Sequence, residues 1–406
     1  MAGPMSGIRV LEVAQWWFVP AAGAVLADWG ADVIKVEHPV SGDPQRGLMS
    51  SGLIPGGGSG PDFMMEQSNR GKRSVGIDLA TEGGRDLLLE LARTSDVFLT
   101  NFLPDARDKL RINLEDIRAV NPNIIYVRGH GQGTKGPDAG RGGYDAASFW
   151  SRGGIGAALT PGDATGPVMQ KAAFGDSIGA MTVAGGIAAA LLDRERTGVA
   201  RVVDVSLLGT AMWVLAPDIG LSKMLGFDLP AAGGNRAMNP NPLVNSFKTG
   251  DGRWMTVILL QADKFWPSFC EHLGVPELID DPRFANATVR AENRAECVEL
   301  LDKAFASKTL EEWKVALASF DGVWAPMQKA SELYDDPQAV ANGYLPELEG
   351  DDGNPFAVVA SPVQFDETPF ELNRSPAHGQ HTEEILLELG LDWEAIIAHK
   401  ESGAVL

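Results

Sequence analysis

The sequence predicts an α/β protein with a doubly wound sheet, followed by a second domain. Three observations carry that prediction. Strand-like and helical runs alternate through the first 130 residues. The connections between successive strand signals are long enough for helical crossovers. Composition then changes abruptly at residues 228–242, where "DLPAAGGNRAMNPNP" gathers glycine, proline and asparagine.

The elements follow in order. "IRVLEVA" (8–14) is a β run, "AAGAVLADWG" (21–30) is helical and stops at glycine, and "DVIKVE" (32–37) is a second strand, which together make a parallel βαβ unit. "RSVGID" (73–78) precedes the helix "GGRDLLLELART", and "DVFLTNF" and "NIIYVRG" (123–129) are further strands. Glycine-rich loops at 41–60 and 129–143 are long enough to be functional or mobile. The run from Ile178 to Leu192 carries no charge. It is shorter than the roughly 20 residues that span a bilayer, and its small residues (Gly179, Ala180, Ala184, Gly185) suit a closely packed buried helix. "RVVDVSLLGTAMWVLA" adds a strand and a helix. Beyond the compositional break, "RWMTVILL" is strand-like, and helical segments over 262–320 carry Trp266 and Trp313 as core anchors. "VWAPMQKASELYDD" begins a return, and "GQHTEEILLELGLDWEAIIAHK" is a capped amphipathic helix pair.

Composition excludes several functions. With 406 residues the chain holds two or three domains. Its 34 basic against 54 acidic residues, net −20, argue against a nucleic-acid partner but not against a small anion held by local cations. Two cysteines, Cys270 and Cys297, provide neither a disulfide framework nor a metal site. "MAGPMSGIRV" lacks the pattern of a secretion signal, which sets the expectation of a cytoplasmic enzyme.

The turn after the first strand, "QWWFVPAAG", lacks the G-x-G-x-x-G that lets a pyrophosphate approach the backbone, so ordinary NAD binding is not expected. Trp16, Trp17 and Phe18 fill that place, either as core or as the wall of a ligand site, because open sheets bind ligands at strand carboxyl ends. His272, His378, His381 and His399 have no partners at metal-ligand spacing. His130, in "RGHGQG", is a catalytic candidate on a glycine loop, with satisfaction by backbone as the plainer reading. There is no G-x-S-x-G elbow and no P-loop. Arg70, Lys72, Arg73, Lys109 and Arg111 are solvated turn charges or, jointly, a cradle for a polyphosphate-bearing ligand. In "FGDSIGAM", Asp176 precedes the uncharged run and reads first as a helix N-cap.

Taken together, "GIRVLEVAQWWFVPAAGAVLADWGADVIKVEHP…GD", "NRGKRSVGIDL", "TNFLPDARDKL", "NPNIIYVRGHGQG", "GYDAASF" and "GDSIGAM" resemble the class III coenzyme A transferases, the formyl-CoA transferase family; the match is collinear over about residues 5–205, and the "AHGQHTEEIL" tail also fits. The resemblance implies a Rossmann-like large domain with an inserted smaller α+β domain, in a cytoplasmic interlocked homodimer. It implies a large domain over 1–215, a linker at 216–240, a small domain at 241–330, and 331–406 returning to the large domain. Asp176 becomes the nucleophile that attacks an acyl-CoA thioester and passes through an aspartyl-CoA thioester. A helix N-terminus would favour its ionised form by about 0.3–1 kcal/mol, and the adjacent N–H groups would stabilise the oxyanion. Coenzyme A contacts carry over to Trp17, Phe18, His38, Ile77, Asn101, Phe102, Lys109, Arg141 and Tyr144. The implied partners are an acyl-CoA and a carboxylic acid, with coenzyme A as substrate, no permanently bound cofactor or metal, no nucleic acid and no membrane.

The family commonly has Arg at the positions of His38 and Lys109, and these changes lose the planar fork. Oxalate-using members carry Gln at the position of Trp17 and a longer glycine run than "AAGGNR", so a bulkier or more apolar acid is expected. Two alternatives stand beside the transferase. α-Methylacyl-CoA racemases pair the equivalent aspartate with the histidine of a "GHD" motif. Here the motif is "GYD", and a tyrosine with a pKa of about 10 is a poor base at neutral pH. The other alternative is a CoA-binding protein without catalysis, which retention of Asp176 and its glycines disfavours.

Overall fold

The computed structural model describes residues 3–52, 60–231 and 235–406. Part of the 41–60 loop, including Gly56–Gly58, and part of "AAGGNR" therefore lie outside the described residues. The chain divides into two compact units, one made of Met1–Ala158, Thr165–Leu229 and Pro337–Leu406, the other of Leu159–Ala164 and Pro230–Asp336.

The first unit is built on six parallel strands: β1 (Arg9–Val13), β2 (Asp32–Glu37), β3 (Arg73–Gly76), β4 (Val97–Thr100), β5 (Ile125–His130) and β6 (Val202–Ser206), in the order β3-β2-β1-β4-β5-β6. Strand order reverses between β1 and β4, which pair from Val10↔Val97 to Val13↔Thr100. The carboxyl ends of β1 and β4 are thus where this topology opens a ligand crevice. The strands read as apolar runs because both faces are covered. Alternate residues serve opposite cores. Val10, Val97, Leu99 and Val127 pack with Val183 and Ile187, whereas Leu11, Phe98 and Tyr126 pack with Leu88, Ile385 and Ile396. The second set shows why the amphipathic tail matters. Its helices, Thr382–Glu388 and Trp393–Glu401, cover one face of a sheet formed by the other end of the chain.

The long helix Phe174–Thr197 covers the opposite face, and its 24 residues exceed the uncharged run seen in sequence. By length and composition alone it could cross a membrane, which corrects the expectation that it is too short. In the fold its small inward face packs against the helix Phe18–Asp28. A Cβ at Gly179 would fall 2.5 Å from Phe18 Cε2, so close packing there requires glycine.

The second unit carries an antiparallel sheet of β7 (Val244–Lys248), β8 (Trp254–Ile258) and β9 (Trp324–Pro326). Helices Ala262–Leu273, Arg294–Phe305 and Leu310–Ala316 share a core with it that includes Phe247, Trp266, Phe269 and Trp313. Both tryptophan N–H groups are satisfied by carbonyls, Trp266 by Leu278 at 3.2 Å and Trp313 by Phe305 at 2.8 Å. Cys270 and Cys297 are buried free thiols, both pushed by burial up to about 12. Two boundaries differ from the sequence reading. Residues 216–225, read as linker, form a helix of the first unit. Residues 323–336, read as the return, stay in the second unit because β9 pairs with β8.

Candidate active site

A cavity of about 710 Å³ opens at the carboxyl ends of β1, β4 and β5. Its walls come from the turn after β1 (Gln15, Trp16, Phe18), from Asn101 and Phe102 after β4, from His130, from the 141–147 segment, and from Asp176. A second cavity of about 240 Å³ is lined by His38 after β2 and Ile77 after β3, and shares Gln15 and Phe102 with the first.

Asp176 is the third residue of the long helix, whose N-cap position is Ala173 at φ 58°. It caps no backbone group, so the N-cap reading is corrected. Burial pushes its carboxyl up to about 7, and the neighbouring Asp145 carboxylate pushes the same way. A helix terminus, worth about 0.3–1 kcal/mol, amounts to less than one pH unit and does not offset this. The ionised form that the terminus favours is therefore outweighed by burial and Asp145, and near neutral pH both forms are present.

Asp145 is the residue that reading the "GYD" motif for its tyrosine missed. It is buried, precedes a π-helical turn at Ala146–Ser151, and accepts the Gly175 N–H on Oδ2 at 3.0 Å. Burial raises its carboxyl, and the N–H groups of Asp176 and Gly175 and the Gln170 amide lower it. A Cβ at Gly175 would fall 2.2 Å from Phe149 Cγ and 2.5 Å from Asp145 Oδ1, so glycine is required where the helix meets this carboxylate. The local signal was a π-helical turn at a functional site, which short motifs do not show.

The turn after β1 is held at both ends. Trp16, at φ 67°, donates its N–H to Asp43 Oδ1 at 3.1 Å and sets its ring edge-on to Tyr144, with centroids 5.8 Å apart. Asp43 pairs with Lys35 at 2.8 Å, and Lys35 and Lys72 both reach the buried Glu12. Burial lowers Lys72 to about 8. It opposes the charge on Lys35 too, but the Asp43, Glu12 and Glu37 carboxylates outweigh it and hold that ammonium above its ordinary range. Trp17 donates from Nε1 to Ser177 Oγ at 3.0 Å, beside Asp176, and faces a separate apolar cavity of about 480 Å³ with Phe63, Ile178 and Met181.

The other residues expected from sequence are placed as follows. Phe18, Asn101, Phe102, Arg141 and Tyr144 join Asp176 at the large cavity, and His38, Ile77 and Phe102 line the small one. Asn101 grips the backbone of Gln15, accepting its N–H at 3.1 Å and donating to its carbonyl at 2.7 Å. His38 Nδ1 accepts the N–H groups of Val40 and Ser41 at 3.2 and 3.3 Å, which places its ring proton on Nε2. Lys109 is exposed and lines none of these cavities. The polyphosphate cradle is corrected in part: Arg70 is taken by Asp28 at 2.6 Å, Lys72 by Glu12 at 2.8 Å, and Arg73 by Asp32 at 2.8 Å and Glu388 at 2.6 Å. His130 also differs from its reading. It ends β5, and a carboxylate satisfies it, Nε2 lying 3.1 Å from Asp204 Oδ1. Burial raises Asp204, but hydrogen bonds from His130 and Arg128 outweigh it and bring the carboxyl to about 2. Among the described residues no group of three His, Cys, Asp or Glu side chains is placed to hold a metal.

The fold and site thus define an α/β protein with a carboxyl raised by burial at a helix start, lining a cavity at the strand carboxyl ends. Residues 5–382 match the model of CoA-transferase family III, and the chain belongs to that family. It is 32% identical over 403 residues to (R)-2-hydroxy-4-methylpentanoate CoA-transferase of Clostridioides difficile, with 99% of each chain covered. It is 33% identical over 390 residues to cinnamoyl-CoA:phenyllactate CoA-transferase of Clostridium sporogenes, covering 95% of this chain and 93% of that one. Among solved structures, a CAIB/BAIF family protein from Brucella suis superposes with a TM-score of 0.81 at 30% identity, over 96% of this chain and 100% of that one. The protein is a family III CoA-transferase, an enzyme whose class uses CoA thioesters and carboxylates as substrates. The names of these relatives specify acids other than formate, so the formyl-CoA label does not carry over from the resemblance.

Proposed function

We propose that the protein transfers CoA from an acyl-CoA donor to a carboxylic acid through covalent Asp176. The observation that carries this reading is a partly protonated carboxyl at a helix start, opening into the large cavity. The Asp176 carboxylate attacks the thioester carbonyl, giving an acyl-aspartyl anhydride and CoA thiolate. The thiolate attacks the aspartyl carbonyl, releasing the donor acid and leaving aspartyl-CoA. The acceptor carboxylate displaces the thiolate to form a second anhydride, and the thiolate then takes the acceptor acyl group and frees Asp176. The N–H groups expected to stabilise the oxyanion are already taken, those of Gly175 and Asp176 by the Asp145 carboxylate and that of Ser177 by the Ala173 carbonyl. In this reading the CoA nucleotide occupies the His38–Ile77 cavity, and the pantetheine arm passes Phe102 toward Asp176. Lys109, Arg111 and Arg141 remain as peripheral phosphate contacts, and Trp17 supports an acid bulkier than oxalate.

The working form is a cytoplasmic, interlocked homodimer that needs no bound metal, permanent cofactor, nucleic acid or membrane. Support for a second copy comes from the 207–225 helices. No residue of Ala216–Leu225 is buried, and Trp213 and Met224 are 82% and 73% exposed. Incubation with acyl-CoA and hydroxylamine, followed by peptide mass spectrometry, tests the chemistry: an Asp176 hydroxamate is expected. One observation favours a second reading, proton exchange at the α carbon: His130 and Asp176 line one cavity. Solvent deuterium entering the acyl α position, lost in His130→Ala and unaccompanied by any Asp176 adduct, would replace transfer with that reading.

A further inference from the structure

The large cavity's polar groups are mostly committed. Asn101 is spent on the Gln15 backbone, Asp145 Oδ2 on Gly175, and Arg141 and Tyr144 are largely exposed, with 74% of the Arg141 side chain and 67% of Tyr144 open to solvent. His130 differs from all of these. Its side chain is 8% exposed, it is anchored through Nε2 to Asp204, and Nδ1 has no hydrogen-bond partner among the described residues. Asp204 also accepts from Arg128 Nε at 2.7 Å and Nη2 at 3.0 Å. Arg128 already pairs with the Asp204 carboxylate, and in the neutral ring the proton that bonds Asp204 sits on Nε2. Nδ1 is then left as a lone-pair acceptor on a residue that lines the cavity. Such an acceptor is matched by an O–H donor and mismatched to a methylene or a second carboxylate.

We propose that His130 is a specificity residue whose Nδ1 accepts the hydroxyl of a hydroxyacyl group, so that the enzyme selects hydroxy acids and their CoA thioesters over unsubstituted acids and dicarboxylates. The inference rests on the transferase reading only in placing the acyl group beside Asp176. Asp204 and Arg128 act through His130 as positioning residues, fixing which nitrogen carries the proton.

The test compares kcat/KM for 2-hydroxybutyrate, 3-hydroxybutyrate, butyrate and succinate as acceptors, with acetyl-CoA as donor. One hydroxy acid is expected to exceed butyrate and succinate by about tenfold, in line with a net hydrogen bond. His130→Phe is expected to bring that ratio close to one. Asp204→Asn, which releases the ring to carry its proton on Nδ1, is expected to lower the ratio while His130 stays in place. A separate measurement needs no turnover: binding of hydroxybutyryl-CoA and butyryl-CoA to the Asp176→Asn enzyme, with and without His130→Phe. Tighter hydroxybutyryl-CoA binding that depends on His130 supports the inference even if no acid turns over, in which case the transferase reading alone fails. Equal binding of the two thioesters, a ratio near one in the unmodified enzyme, a ratio unmoved by His130→Phe, or a preference for succinate would each overturn it.

Discussion

Replacing Asp176 with asparagine should stabilise the fold at neutral pH while ending catalysis. Asparagine keeps the shape of the protonated acid and removes the charge that burial opposes. The carboxyl rises from 3.8 to about 7 in the folded protein, so between those values the folded chain keeps a proton that the unfolded chain has released. The favourable contribution of the protonated acid is therefore complete below pH 3.8 and is lost as pH climbs through about 7. Full conversion at 1.36 kcal/mol per pH unit sets a ceiling of about 4 kcal/mol. Because Asp176 faces an open cavity, solvent screening reduces the expected gain to about 1–2 kcal/mol. Thermal melts followed by circular dichroism at pH 4 and pH 8 provide the assay. At about 2 °C per kcal/mol for a chain of this size, Asp176→Asn should melt about 2–4 °C higher at pH 8 and no higher at pH 4. An equal shift at both pH values, or a lower melting temperature at pH 8, refutes the burial argument.

In the proposed mechanism the Asp176 carboxylate is the attacking form, so kcat/KM of the unmodified enzyme should rise with pH and level off above about 7, where burial places its carboxyl. Asp145→Asn should move that midpoint downward by removing the like charge, and an unmoved midpoint in a rate–pH profile would count against the coupling. Gly175→Ala meets Phe149 and Asp145 at 2.2 and 2.5 Å. It should cost about 1–3 kcal/mol in a urea melt and displace the helix start enough to lower kcat. Glu12→Gln leaves two buried ammonium groups short of their shared partner. A loss of about 3–5 kcal/mol is expected, visible as a lower melting temperature or loss of soluble protein. The proposed homodimer predicts a dimer mass in light scattering that Trp213→Lys with Met224→Glu shifts to monomer; an unchanged dimer would assign the interface elsewhere.

The parallel strands were legible because their β-branched runs are short and separated by crossover-length segments, and β1, β2, β4 and β5 fall where those runs do. Asp176 was legible as a position but not in its protonation. Burial and Asp145, which lies 31 residues earlier in the chain, set that, and neither is a local property of "FGDSIGAM". The cations misread for the same reason. Arg70, Lys72 and Arg73 look free on a short turn, yet their partners Asp28, Glu12 and Asp32 lie 42, 60 and 41 residues away, on other strands and helices. His130 looked like a loop residue because the strand it ends has glycine on both sides of it, and its partner Asp204 is brought alongside only by the β5–β6 register.

Asp43 receives the Trp16 N–H on one oxygen and faces the Lys35 ammonium with the other. The unusual backbone of Trp16 is thus imposed from below, by charges sealed in the core, and not by the side chains of the turn itself. Trp17 can then be exchanged for residues of other size and polarity without the turn losing its course. The course of the chain past the site is in this way set by residues that no ligand in the cavity touches, Lys35 and Glu12 being fully buried.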